Sequence, residues 1–281
     1  MSAPQFIDVG GLRTRVRLEG EPAGRPVVLL HGIGRSLEDW EPQYELLAEG
    51  NRLIAMDLPG FGYSQRRPEP STLHSFAAGV LATLDALGET RRVHLIGNSL
   101  GGAVALQVLG DAPARVASVV LVNSGGFGKE VSYLLRALGV PGLGRALLAK
   151  PTRLGNLHIE RALYADKTLA TKERVAHALK LGREPGAARF MAETAMALGT
   201  VRGVRPEWRR ALLDAARQDY RPMLIIWGDQ DQILPARHFD VARRTFPVAK
   251  HHMFAGTGHM PQIERPKEFA ELVQDFYAGI G

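Results

Sequence analysis

Ser99 lies in Gly97-Asn98-Ser99-Leu100-Gly101, directly after the apolar run Val93–Ile96 and ahead of a small-residue helical pattern. Glycine two places before and two places after a serine suits a sharp strand-to-helix turn that lifts a hydroxyl above a sheet. The same residues also suit a tight loop in which the serine caps the following helix. A hydroxyl becomes a useful nucleophile only when a base takes its proton, so the first reading demands an imidazole and a carboxylate to orient it. Among nine histidines, His259 stands in Gly258-His259-Met260-Pro261, and the acidic turn Trp227-Gly228-Asp229-Gln230-Asp231 precedes it. Negative charge developing on a carbonyl oxygen further needs aimed donors. The backbone amides of Ile33, in His31-Gly32-Ile33-Gly34, and of Leu100 are candidates, with glycines around them that permit close approach.

These residues need elements to hold them. Val27–Leu30, Leu53–Met56, Val93–Ile96, Val116–Val122 and Met223–Trp227 are short runs rich in branched residues, with helical patterns such as Thr72–Leu87 and Leu100–Leu109 between several of them. Runs buried on both faces and alternating with helices predict a parallel sheet covered on both sides. Residues 6–18 alternate around Gly10-Gly11 and predict an opening hairpin, Lys250–Phe254 a last strand, and Pro266–Ile280 a closing helix with proline in its first turn. The His31 loop, Asp57–Ser64, the Ser99 turn, the Asp229/Asp231 turn and the His259 loop all follow strands, at the end of an open α/β sheet where ligands bind. Between about Gly125 and Pro206 the alternation stops. Amphipathic stretches Val131–Leu138, Leu157–Tyr164, Lys172–Leu181 and Ala187–Leu198 replace it, with no convincing buried strand. The predicted organisation is a core of residues 1–124 and 206–281 with a helical cap subdomain over residues 125–205.

Composition removes several function classes. Without cysteine there is no disulfide framework, thiolate metal site or cysteine nucleophile. No signal-peptide pattern opens the chain, and no apolar run approaches the roughly 18 residues of a membrane span, so a cytoplasmic protein without integral membrane association is expected. The formal charge of +6 is uneven: Phe127–Arg205 holds 14 Lys and Arg against 6 Asp and Glu, a net of +8, which leaves −2 for the rest. The basic charge therefore belongs to one segment and forms no nucleic-acid-binding stripe. It is either a solvated arginine surface or a field that attracts anionic substrates. No P-loop, H-E-x-x-H or intact G-x-G-x-x-G occurs, and neither cofactor nor metal is expected. His251 and His252 are adjacent on a predicted strand and point to opposite faces, a poor metal pair.

Together, HGIG, the G-x-S-x-G turn and an acid and histidine in the order Ser…Asp…His resemble a capped α/β-hydrolase over almost the whole chain. The resemblance implies an α/β-hydrolase fold, a mostly parallel twisted sheet of about eight strands with helices on both faces. It makes Ser99 the nucleophile, His259 the base and Asp231 the acid, with Asp229 as the alternative acid. It also implies that His31 braces the loop carrying the Ile33 amide. His158, His177 and His238 read as solvent-facing. Serine at position 99 argues against the haloalkane dehalogenases and epoxide hydrolases of this fold, which use aspartate there.

Within the family, GNSLGG and the helical cap are similar to those of the meta-cleavage-product hydrolases, which cut carbon–carbon bonds in vinylogous diketones. Three departures stand out. Ala178 occupies the place of their cap arginine, Met260 that of the tryptophan after the histidine, and the oxyanion loop continues HGIGRS where theirs reads HGxGPG. A dienol carboxylate buried without its arginine is expensive. The expected reaction is therefore hydrolysis of a small-molecule carboxylic ester, with carbon–carbon hydrolysis or ligand binding without turnover as alternatives. Gly32, Asn98, Phe190, Met191 and Met260 are the expected substrate contacts. The stripe Phe190, Met191, Thr194, Ala195 and Leu198 suits an apolar acyl or aryl pocket and equally suits core packing. A homodimer remains open.

Overall fold

The structure is a computed structural model that describes residues 2–280. Alternation around Gly10 and Gly11 closes an antiparallel hairpin of β1 (Gln5–Val9) and β2 (Leu12–Gly20). The apolar runs become β3 (Arg25–Leu30), β4 (Asn51–Met56), β5 (Val93–Asn98) and β6 (Val116–Val122). A separate two-residue pair, β7 (Gly199–Thr200) and β8 (Gly203–Val204), precedes β9 (Met223–Gly228) and β10 (Lys250–Phe254). Eight strands form one sheet in the order β1-β2-β4-β3-β5-β6-β9-β10. β2 is antiparallel to both of its neighbours, and every pairing from β4 to β10 is parallel.

Both faces of this sheet are covered, which is why its strands read as continuous apolar runs. Val27 and Leu29 of β3 join Trp40, Phe269 and Phe276 on one face, while Val28 and Leu30 join Phe76, Val104 and Phe239 on the other. α1 (Glu41–Leu46) lies on the first face; α2 (Leu73–Ala86) and α3 (Leu100–Asp111) lie on the second. Thr72 and Ser75 form a reciprocal capping box that starts α2.

Between β6 and β9 the chain runs through α4 (Tyr133–Leu138), α5 (Leu143–Leu148), α6 (Arg153–Leu163), α7 (Lys172–Gly182) and α8 (Ala187–Leu198). The hydroxyls of Ser132, Thr152 and Thr171 cap α4, α6 and α7. α6 starts earlier than its apolar pattern predicts, because Thr152 nucleates a first turn that contains Gly155. α5 and the β7–β8 pair escape a reading that takes glycine there as punctuation alone.

α9 (Pro206–Gln218) and α10 (Arg237–Thr245) complete the second face; α11 (Pro261–Glu264) and α12 (Pro266–Ala278) follow β10, with α12 on the first face. His238 corrects the solvent-facing expectation. It lies on the inner side of α10 against Trp227, fully buried, with Nε2 3.1 Å from Glu130 Oε2. Burial lowers its pKa, an effect the Glu130 carboxylate opposes.

Candidate active site

Ser99 joins β5 to α3 with φ 57° and ψ −114°, a conformation L-residues avoid. Such strain is of order 1–3 kcal/mol and persists only where surroundings impose it. Here the Ser99 N–H donates to the Val122 carbonyl at 3.0 Å, and the Ser99 carbonyl accepts from Gly125 N–H at 2.9 Å. The flanking glycines serve close packing. A Cβ at Gly97 would strike the Gly101 carbonyl, and one at Gly101 the Leu30 carbonyl. The hydroxyl does not cap α3 and makes no hydrogen bond to protein among the described residues. Ser99 instead lines a cavity of about 280 Å³.

His259 lines the same cavity. Its Nδ1 is 2.7 Å from Oδ2 of Asp231, both residues being buried. The other Asp231 oxygen accepts from the amides of Ile233 (2.7 Å) and Leu234 (3.0 Å). Asp229, by contrast, is exposed and accepts from Thr257 N–H. An ionised Asp231 fixes the proton on Nδ1 and leaves Nε2 as the basic nitrogen. Asn98 ties the Ser99 turn to this loop, its amide donating to the carbonyls of His259 (3.0 Å) and Val122 (3.2 Å).

The two candidate donor amides share one construction. His31 Nε2 accepts from Leu58 N–H at 2.9 Å, so its proton sits on Nδ1, 2.7 Å from the Gly32 carbonyl. Burial lowers the His31 pKa and keeps the ring neutral, against the pull of Asp57. A trans peptide points its C=O and N–H in opposite directions. Holding the Gly32 carbonyl therefore aims the Ile33 N–H, just as holding the Ser99 carbonyl aims the Leu100 N–H. Neither amide has a protein acceptor among the described residues.

Leu135, Leu138, Leu148, Ile159, Leu163 and Leu181 make most of the cavity apolar, and Gly32, Ile33, Asn98, Met191 and Met260 line it as well. Phe190 does not, a correction to its expected substrate contact. Its ring packs on Phe61 (5.0 Å) and Phe76 (6.4 Å) in the main core. Leu100 adds only its amide, its side chain being part of the same core.

A family model described as the alpha/beta hydrolase fold matches residues 25–266. The chain belongs to that family. It is 33% identical over 280 residues to a dihydrolipoyllysine-residue acetyltransferase component of an acetoin cleaving system from Cupriavidus necator, covering 99% of this chain and 70% of the relative. It is 31% identical over 285 residues to a 2-hydroxy-6-oxo-2,4-heptadienoate hydrolase from Pseudomonas putida, covering 98% of this chain and 96% of the relative. A solved meta-cleavage product hydrolase from Pseudomonas fluorescens IP01 is 26% identical with a TM-score of 0.81, over 99% of this chain and 98% of that one.

Three supports of this α/β-hydrolase site carry no motif signal. Asn123, at φ 43° after β6, donates to Asp231 Oδ2 at 2.6 Å and so steadies the carboxylate from a neighbouring strand. Glu264 accepts from Gly258 N–H (2.8 Å), Met260 N–H (3.4 Å) and Ala165 N–H (2.7 Å), clamping the His259 loop to the end of α6. Burial raises the Glu264 pKa, while those amides oppose the rise. Arg35 follows the HGIG loop, ion-paired to Asp39 at 2.6 Å and to Glu160 of α6. Burial alone would disfavour its charge, but the two carboxylates outweigh that and keep it protonated. A signal for these residues existed only as charged or amide side chains next to motif positions. Ala178 lines the cavity and brings it no cation.

Proposed function

We propose that this α/β-hydrolase cleaves carboxylic esters of small or medium apolar acyl or aryl groups through an acyl-enzyme on Ser99. The observation that carries the reading is that His259, paired with Asp231 at 2.7 Å, lines one apolar cavity together with a strained Ser99 whose hydroxyl has no protein partner among the described residues. In this mechanism His259 Nε2 takes the Ser99 proton as Oγ attacks the ester carbonyl. Asp231 stabilises the resulting imidazolium without taking its proton. The Ile33 and Leu100 amides receive the oxyanion, each worth about 3–4 kcal/mol at the transition state. His259 then protonates the departing alkoxide. Water, activated by the same imidazole, attacks the acyl-enzyme, releases the acid and returns the proton to Ser99. Residues 125–205 act as the cap that closes the acyl pocket over this centre.

A neutral acyl group fits the charge of the cavity. Its deep cation, Arg35, is already held by Asp39 and Glu160. A substrate carboxylate there would displace formed ion pairs and meet a surplus of negative charge. Carbon–carbon hydrolysis is the second reading, favoured by full-length similarity to a 2-hydroxy-6-oxo-2,4-heptadienoate hydrolase. Turnover of chromogenic acetate, butyrate and octanoate esters, set beside a vinylogous diketone, separates the two. Ester turnover with fluorophosphonate labelling of Ser99 supports the proposal. Diketone cleavage with negligible ester turnover overturns it in favour of the second reading.

A further inference from the structure

The rim of the cavity is a cationic, apolar surface with no partner in the fold. From Val131 to Ile159 the sequence contains no Asp or Glu, while Arg136, Arg145, Lys150 and Arg153 supply positive charge. None of the four pairs with a carboxylate among the described residues. Exposed apolar side chains concentrate in the same place. Of the nine large ones among the described residues, five fall here: Tyr133 (86% exposed), Leu134, Leu143, Leu147 and Leu154 (77%). Single exposed apolar residues are ordinary, but a cluster interleaved with one sign of charge marks an interaction surface.

This surface is continuous with the cavity. Leu134 of α4, Leu147 of α5 and Lys150 line its mouth, as do Thr152 and Gly155 at the start of α6. A shallow groove alongside is lined by Arg145, Arg183 and Arg189 with Glu184. Arg189 is paired with Glu193 at 2.6 Å, whereas Arg145 and Arg183 have no carboxylate partner among the described residues.

We infer that α4, α5 and the first turn of α6 form a docking face for an anionic phospholipid bilayer, with Tyr133, Leu143 and Leu154 entering the headgroup–acyl boundary. The charge sign selects the occupant. An anionic leaflet attracts each Lys or Arg near its surface, and apolar side chains add binding that charge alone does not supply. A second copy of the same face would bring like charges together. Docking points the cavity mouth at the bilayer, so an apolar acyl ester dissolved there enters without crossing water. The face acts peripherally: among the described residues no helix is long and apolar enough to cross a membrane.

The test is co-sedimentation of the full chain with phosphatidylglycerol or phosphatidylcholine vesicles, at low and high salt. Phosphatidylglycerol should bind at least tenfold more tightly, and salt should weaken it through screening. The pairs Arg145→Glu with Arg153→Glu, and Leu143→Asp with Leu154→Asp, should each reduce binding tenfold or more. Turnover of a water-soluble short-chain ester should stay unchanged, which also reports that both variants fold. Equal binding to the two lipids, or binding unaffected by both pairs, overturns the inference. Self-association that the leucine pair abolishes, without vesicle binding, overturns it in favour of a homodimer face. Because binding is read without turnover, the result is separate from the ester-hydrolase reading.

Discussion

Arg35, half-buried, and the fully buried Glu160 form an ion pair between the loop that carries the Ile33 amide and helix α6. Asp39 shares the guanidinium, and Tyr164 donates its hydroxyl to Glu160 at 3.3 Å. The pair thus joins the segment over the cavity to a loop two residues from a candidate donor. Glu160→Gln should lower stability by about 1–3 kcal/mol, less than an isolated buried pair would lose because Asp39 keeps Arg35 partnered. It should also reduce kcat more than it raises KM, as the Ile33 amide loses its support. Urea unfolding and steady-state kinetics on one ester check both. A purely structural pair would change stability and leave kcat alone.

Ser99 separates chemistry from conformation. Ser99→Ala should abolish turnover, a loss of about a millionfold for a nucleophile of this kind, with little change in stability. Ser99→Gly should be equally inactive yet more stable than the alanine variant by about 1 kcal/mol, since glycine accepts a positive φ without strain. Chemical denaturation of the two variants, with ester turnover of each, checks the pair. More than a tenth of wild-type activity in either would exclude the serine mechanism.

The two aspartates of the β9 turn are a second discriminating pair. Asp231→Asn should cost about four orders of magnitude in kcat, because an amide favours the wrong imidazole tautomer. Asp229→Asn, whose side chain touches Thr257 and not His259, should lose less than tenfold. Reversed results would make Asp229 the functional acid.

His94 sets an acid limit on stability. Burial, with Arg25 adding to it, pushes its pKa down to about 4, and its Nδ1 lies 2.8 Å from Ser118 Oγ. In the unfolded chain the imidazole titrates near about 6.5. Between these values the unfolded state binds more protons, so stability is full above the unfolded pKa and falls as pH drops toward the folded one. The contribution is on the order of 2 kcal/mol. His94→Gln should flatten that slope, measured as the difference in unfolding free energy between pH 7 and pH 4.5. An unchanged slope would assign acid sensitivity to other buried groups.

Local sequence was enough for the eight strands of the main sheet and for the strand ends that carry the candidate residues, though not for α5 or the β7–β8 pair. Branched apolar runs bounded by turn residues state their own burial, and glycines around Ser99 state a backbone approach no Cβ allows. These are short-range steric and patterning demands, legible without a third dimension. The hairpin at Gly10-Gly11, the Ser99 turn and the helix after Pro266 all follow from them.

Tertiary structure decided which side chains meet. Phe190 and Met191 are neighbours on one apolar helical stripe, yet the first fills the core against Phe61 and the second faces the cavity. Periodicity assigns both to a buried face but cannot divide that face between two buried environments. His238 reads as a polar residue on a helix, and only the approach of Trp227 and Glu130 buries it. Asn123 meets Asp231 across 108 residues of chain, Glu264 reaches back 99 residues to Ala165, and Arg35 pairs with Glu160 across 125. Partners so distant leave no spacing to read, because their proximity is set by how the strands are ordered and how α6 lies over them.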